Sequence, residues 1–278
     1  MTYAEFWQPL TAIYDAGEAR AIAQMVMELH FGLTMADVLC GRLGDEPEMR
    51  RIQQRLLTGE PVQYVLGEAE FCGRLFHVAP GVLIPRPETQ ELCQWMIATL
   101  RSYPTPLSIL DIGTGSGCIA CTLAAEIPEA DVTAWDISET ALAIARENAK
   151  RTNVHVMFRQ VDALQLPANP VPPATRYDLI VSNPPYICER ERTAMAPNVL
   201  DHEPPLALFV PDDDPLLFYR AIADYARKSL KPGGSLFFEI NPLYTQELQA
   251  FLRAMSYHTI ETRNDQFGKP RMIRAIQA

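Results

Sequence analysis

The sequence predicts an α/β fold: a mostly parallel sheet of seven strands wound with helices, preceded by a small all-helical segment and a short β connector. Three observations predict it. Strand and helix signals alternate after residue 89, a pattern that needs crossover connections and therefore parallel pairing. A glycine cluster follows directly on the first of those strands, where such sheets open a nucleotide-sized crevice. Upstream of residue 60 the apolar residues recur instead at helical spacing, as in Ile22, Met25, Val26 and Leu29.

Each element follows from local pattern. Between residues 3 and 57 the glycines Gly32, Gly41 and Gly44 divide the helical run into short helices, giving a helical domain over 1–60. From 61 to 88 the texture changes to Val62, Tyr64 and Val65, then Phe71, Leu75, Phe76 and Val78, between glycines and prolines, which reads as short strands and turns. The remaining part, 89–278, carries strand signals at 107–112, 132–135, 154–159, 178–181, 235–240, 259–262 and 272–276. Helices are expected at 116–127, stopped by Pro128, and at 138–152, 215–230 and 244–255. The proline-rich stretch 166–173 reads as a surface loop.

Composition narrows the class of function. Of 278 residues 48% are apolar and 21% charged, and no run approaches the roughly 20 apolar residues of a membrane span. The N-terminus lacks a basic stretch followed by an apolar core, so a cytoplasmic protein with no membrane partner is expected. The six cysteines are scattered and fit reduced thiols; Cys118 and Cys121 form a C-x-x-C with no second pair to complete a zinc site, so no metal is expected. A net charge of −10 argues against stable nucleic-acid binding, where phosphate neutralisation supplies the affinity, although a net charge averages over the surface and leaves room for a local basic patch at Arg50, Arg51 and Arg55.

The strand at 107–112, with Asp111 as its penultimate residue, runs into Gly113-Thr114-Gly115-Ser116-Gly117. Glycines there let the chain turn through positive φ and let a ligand lie against the backbone; a tight turn without a ligand is the plainer alternative. Asp136 ends the next strand about twenty residues on, where a carboxylate accepts from ribose hydroxyls. Asp162 follows the third strand and serves either as an acceptor for an adenine amino group or as a solvated loop acid. With no G-x-x-x-x-G-K-[ST] phosphate loop, the set favours an adenosyl ligand without phosphates, with NAD as competitor.

At the end of the fourth strand stands Asn183-Pro184-Pro185-Tyr186. The Asn183 side-chain oxygen and the Pro184 carbonyl are two acceptors matched to the two N–H groups of a primary amide or exocyclic amine, and Tyr186 can cover its flat face. An amide nitrogen is a poor nucleophile, so orientation and stabilisation of developing positive charge carry the catalysis rather than a strong base. The plainer reading is a rigid turn after a strand.

Together these motifs resemble those of the class I methyltransferases, whose sheet is Rossmann-like, and within them the protein-(glutamine-N5) methyltransferases of peptide chain release factors. The resemblance covers almost the whole chain, including Gly67-Glu68-Ala69-Glu70-Phe71, Leu83-Ile84-Pro85-Arg86-Pro87-Glu88-Thr89 and His202-Glu203-Pro204-Pro205. It implies S-adenosylmethionine as cofactor, contacted by residues 113–117, Asp136 and Asn183, and by Asp111, Asp162 and Ala163 beside them. It also implies the glutamine of a Gly-Gly-Gln tripeptide in class 1 release factors as acceptor, held by Asn183 and Pro184, with Pro185, Tyr186 and Glu203 lining its entrance and the N-terminal domain docking the factor. Two positions depart from the pattern: Ala163 stands where many relatives have an aromatic residue, and Asn241-Pro242 where they often have glycine. Arg86 either anchors the connector over the cofactor or forms a surface ion pair, and Glu203 is otherwise a loop acid.

Rival functions share parts of this pattern. Adenine-N6 methylation presents the same two donors to Asn183, but needs a flipped base and nucleic-acid contacts. Glutamine methylation of a ribosomal protein and a non-catalytic adaptor role are the others.

Overall fold

Thr2, Asp15, Thr34 and Asp45 start four N-terminal helices, each by accepting backbone N–H groups of the first turn; such caps contribute about 1 kcal/mol each. The helices are α1 (Tyr3–Trp7), α2 (Ala16–Met25), α3 (Met35–Leu39) and α4 (Glu46–Leu56). In α4 the residues Met49, Ile52 and Leu56 recur at one-turn spacing and are fully buried, against Phe6, Leu10, Ile22 and Met27. The computed structural model describes residues 1–166 and 175–277, so the loop expected at 166–173 lies, apart from Leu166, outside the described residues.

Val62, Tyr64 and Val65, expected as extended chain, instead form a single helical turn, α5 (Val62–Leu66). Pro61 caps its start and Gly67, at φ 75°, ends it. Val62 and Val65 thereby enter the same apolar core as α4, a tertiary gain that overrides the strand preference of valine. Next come the hairpin strands β1 (Glu68–Phe71) and β2 (Arg74–His77), then α6 (Pro87–Leu100), which has no counterpart among the expected elements. Its buried residues Leu92, Cys93, Trp95 and Met96 lie on one face, but the apolar Ile97 and Ala98 stand outside that face and weaken the helical contrast of the sequence.

The sheet strands follow in chain order: β3 (Ser108–Ile112), β4 (Asp131–Asp136), β5 (Met157–Gln160) and β6 (Tyr177–Ser182), then a short ladder of β7 (Ile187–Cys188) with β8 (Phe209–Val210). The sheet is completed by β9 (Leu230–Glu239), β10 (His258–Asn264) and β11 (Pro270–Ile276). Spatial order is β10-β11-β9-β6-β3-β4-β5, parallel except that β11 runs antiparallel to β9 and to β10. All seven expected strands are present. The remaining helices are α7 (Cys118–Glu126), α8 (Glu139–Arg151), α9 (Pro197–His202), α10 (Leu217–Ser229) and α11 (Thr245–Ala254).

Ile109, Leu179 and Phe237 face one apolar layer, and their neighbours Leu110, Ile180 and Leu236 face the other. Burial on both faces explains why these strands read as unbroken apolar runs. Strand order reverses between β3 and β6, which opens the crevice at their carboxyl ends where ligands bind in such sheets. The chain divides into two compact units, Met1–Glu68 with Val78–Pro80 and Met195–Glu203, and Ala69–His77 with Gly81–Ala194 and Pro204–Ala278. Among the described residues no helix is long and apolar enough to cross a membrane.

Candidate functional site

The glycine loop is tied to the neighbouring strand through its own backbone N–H groups. Gly113 and Thr114 N–H groups donate to the Trp135 carbonyl at 2.8 and 2.9 Å, and Gly115 N–H donates to Asp136 Oδ2 at 2.8 Å. Gly115 has φ +55° and only open space where a Cβ would stand, as needed for a ligand to lie on the backbone. Gly117 has a different reason: at φ +80° it caps α7, and a Cβ there would come within 3.2 Å of the Ala145 backbone. The third glycine therefore lets α7 approach α8 and does not itself face ligand space.

A cavity of about 400 Å³ opens in front of this loop. Ten of the expected site residues line it: Gly113, Thr114, Gly115, Ser116, Asp136, Asp162, Ala163, Asn183, Pro184 and Pro185. Its charged side chains are Asp136, Asp162 and Arg86, so carboxylates outnumber the guanidinium and cations are favoured over phosphates. Asp136 accepts from Gly115 N–H and, through Oδ1, from Ser138 N–H at 2.9 Å; burial raises its pKa and these backbone donors oppose the rise. Acceptor capacity on that carboxylate remains for a hydroxyl donor. Asp162 accepts from Leu164 N–H at 2.8 Å and Gln165 Nε2 at 2.7 Å, both in its own loop. Beside Ala163, the half-exposed Ile137 and Leu164 supply the cavity with an apolar wall.

Asn183 follows β6, whose last residue Ser182 donates from Oγ to the Ile112 carbonyl at 2.6 Å and so ties the strand end to the glycine loop. The Asn183 amino group donates to Thr89 Oγ1 at 3.2 Å, and Thr89 donates in turn to Glu239 Oε2 at 2.5 Å. Burial pushes the Glu239 carboxyl above its ordinary range, while the hydroxyls of Thr89 and Tyr186 and the charge of Arg271 pull it back.

Four expected site residues do not line the cavity. Tyr186 is half-buried with its hydroxyl donating to Glu239 Oε1 at 2.9 Å; burial and that carboxylate push its pKa well up. Asp111 is fully buried behind the loop, accepts from Thr114 Oγ1 at 2.6 Å, and has a pKa pushed up to about 7 by burial. Its Oδ1 has no hydrogen-bond partner among the described residues. Gly117 packs against α8, as described, and Glu203 is buried at the end of α9 in the unit that contains the N-terminal helices.

Thr89 and Glu239 escape sequence reasoning because 150 positions separate them. A charged residue within the apolar run Leu236-Phe237-Phe238-Glu239-Ile240 is the one local signal, since buried charge requires partners. Asn241 also acquires a role: its side chain donates to the Tyr186 carbonyl at 3.0 Å and to Glu191, and accepts from Leu243 N–H at 3.0 Å, pinning the segment after Pro185 to the end of β9. The basic patch dissolves on folding, because Arg50, Arg51 and Arg55 pair with Glu46, Glu48 and Glu60. Cys118 and Cys121 are buried thiols of α7, the latter pushed up to about 12 by burial, and among the described residues no cluster of acidic, histidine or cysteine side chains is placed to hold a metal.

Comparison with known proteins agrees with this geometry. Residues 93–204 match the family model of the methyltransferase small domain. A release factor glutamine methyltransferase of Bacteroides thetaiotaomicron is 46% identical over 273 residues, 96% of each chain. One from Flavobacterium psychrophilum is 38% identical over 282 residues, 97% of this chain and 96% of that one. Among solved structures, a methyltransferase from Pyrococcus furiosus shares the fold at a TM-score of 0.51 and 16% identity, over 82% of this chain and 98% of its own. Identity of this level across nearly the full length, in a chain whose glycine loop and Asn183 face one cavity, means that the protein belongs to the release factor glutamine methyltransferase family.

Proposed function

We propose that this chain transfers a methyl group from S-adenosylmethionine to the side-chain amide nitrogen (N5) of the glutamine in the Gly-Gly-Gln tripeptide of class 1 peptide chain release factors. One observation carries the reading: Asn183 lines the same cavity as Gly113, Gly115 and Asp136, with its amino group already committed to Thr89, so its oxygen is the end left to accept. Fit to the cofactor is supported by the open space before Gly115, by the spare acceptor capacity of Asp136 and by the excess of carboxylates in the lining. Adenosylmethionine supplies an electrophilic methyl group on a sulfonium centre.

The residues of this chain do the rest. Asn183 Oδ1 and the Pro184 carbonyl accept the two N–H groups of the glutamine amide, aim its nitrogen into the cavity and stabilise positive charge as it develops there. No base is required during transfer, because the proton becomes acidic once charge has developed and leaves to water afterwards. Ile137, Leu164 and Leu206, apolar and partly exposed, line the cavity and exclude water when it is filled. The helical unit docks the body of the factor, and the reaction belongs in the cytoplasm, where termination takes place.

The test supplies labelled adenosylmethionine with release factors, ribosomal protein or DNA separately and locates the label by mass spectrometry. Label on the Gly-Gly-Gln glutamine is expected, and Asn183→Ala should abolish transfer while cofactor binding persists. Label confined to ribosomal protein or to adenine would overturn the substrate, and undiminished turnover by Asn183→Ala would overturn the mechanism.

A further inference from the structure

We propose that Thr89 and Glu239 are positioning residues for methyl transfer: a two-step hydrogen-bond relay that locks the Asn183 amide with its oxygen, not its amino group, presented to the acceptor. The proposal rests on the function given above and adds to it the device that sets the polarity of the site. An asparagine amide is nearly symmetric in shape, so packing alone does not choose between its two orientations; its hydrogen-bond partners must. If the amide were reversed, its NH₂ would face the NH₂ of a glutamine side chain, donor against donor, and transfer would stop.

The choice begins at Glu239. This side chain, 1% exposed, stands at the end of β9 and accepts from two hydroxyls, Thr89 Oγ1 on Oε2 at 2.5 Å and Tyr186 on Oε1 at 2.9 Å. Thr89 is 3% exposed, in the first turn of α6. A threonine hydroxyl has a single hydrogen, and here it is given to the carboxylate. The lone pairs of Thr89 are then all that Asn183 meets, so Asn183 Nδ2 donates at 3.2 Å and Oδ1 is turned away as the free acceptor. In the reversed orientation Oδ1 would face those same lone pairs, oxygen against oxygen, in a buried setting where repulsion is poorly screened. Tyr186 is held by the other oxygen of the same carboxylate, so the two ends of Asn183-Pro184-Pro185-Tyr186 are referred to one buried group.

A carboxylate is required, rather than any polar residue. A glutamine at 239 has the same shape but one acceptor and one donor end, so one of the two hydroxyls would have to turn round and accept. If Thr89 turned, its hydrogen would point at Asn183 and favour the reversed amide.

Thr89→Val, Thr89→Ser and Glu239→Gln test this in the full-length chain. Thr89→Val and Glu239→Gln should each lower kcat about 10- to 100-fold, the scale of a misaligned reacting group, with cofactor Kd unchanged. Thr89→Ser keeps the hydroxyl and should restore kcat, which a purely structural role for the threonine methyl would not allow. Combining Thr89→Val with Glu239→Gln should cost little more than either alone, because both break one relay. A second readout needs no acceptor: the Asn183 side-chain NH₂ resonance, assigned from its loss in Asn183→Ala, should exchange slowly in the parent and in Thr89→Ser and rapidly in Thr89→Val. Full kcat in Thr89→Val, failure of Thr89→Ser to restore it, or an NH₂ resonance indifferent to residue 89 would each overturn the relay. If the parent labels some NH₂ group other than the release factor glutamine, the substrate assignment falls, and the same variants on that acceptor still decide the relay.

Discussion

The hydroxyl of Tyr186 lies 2.9 Å from Glu239 Oε1 and donates to it, so the tyrosine that ends the Asn183-Pro184-Pro185-Tyr186 segment is anchored by its tip in the protein interior. Its contribution divides into a ring near the site and a hydroxyl that serves Glu239. Tyr186→Phe keeps the first and removes the second. It should lower stability by about 1–3 kcal/mol, the cost of stripping a donor from a buried charged group. Chemical denaturation measures this, and kcat should fall much less than in Tyr186→Ala. Equal loss of activity in the two variants would mean that the hydroxyl, not the ring, matters to transfer.

Asp111 gives stability a pH dependence of unusual sign. Burial pushes its folded-state pKa up to about 7 from an ordinary 3.8. Between these values the folded chain holds a proton that the unfolded chain has released, so stability falls as pH rises through this window and levels off above it. Asp111→Asn cannot ionise, so the Tm of the variant relative to the parent should be higher at pH 8 than at pH 5. Any fixed cost of the new amide cancels in that difference. A pH-independent offset would show that Asp111 is not protonated in the folded, ligand-free chain.

Gly117 should be less replaceable than its open surroundings at Gly115 would suggest for the loop as a whole. A methyl group at 117 meets Ala145 at 3.0 Å and demands φ +80° of an L-residue. Gly117→Ala should therefore cost about 1–3 kcal/mol of stability from strain and overpacking combined. Gly115→Ala has the strain without the collision, so it should lose less stability but more cofactor affinity. Thermal denaturation and calorimetric titration separate the two; a larger Tm loss at 115 would contradict these assignments.

Docking away from the reacting amide should appear as substrate selectivity. If the helical unit contributes binding energy, a peptide containing Gly-Gly-Gln will show kcat/KM at least about 100-fold below that of the intact release factor. Parity between the two would remove the docking role.

Local pattern alone determined the seven strands, the mostly parallel character of their sheet and four of the helices around them, because alternation of short apolar runs with amphipathic segments has few foldable solutions; that β11 is the strand that runs antiparallel came from the structure. It also located Gly113, Gly115, Asp136 and Asn183, since each stands at the carboxyl end of a strand, a position that sequence reveals directly. Val62–Leu66 and Pro87–Leu100 were hidden, the first because its valines favour strands until a core claims them, the second because Ile97 and Ala98 carry apolar character outside its buried face.

Only the tertiary structure decided what each candidate site residue touches. It left Tyr186 and Asp111 out of the cavity lining, gave Gly117 to helix packing, and joined Thr89 to Glu239 across 150 residues. The physical reason is that a motif fixes which donors and acceptors are close in the chain, whereas the direction of a buried hydrogen bond is set by whichever group, however distant in sequence, holds the charge.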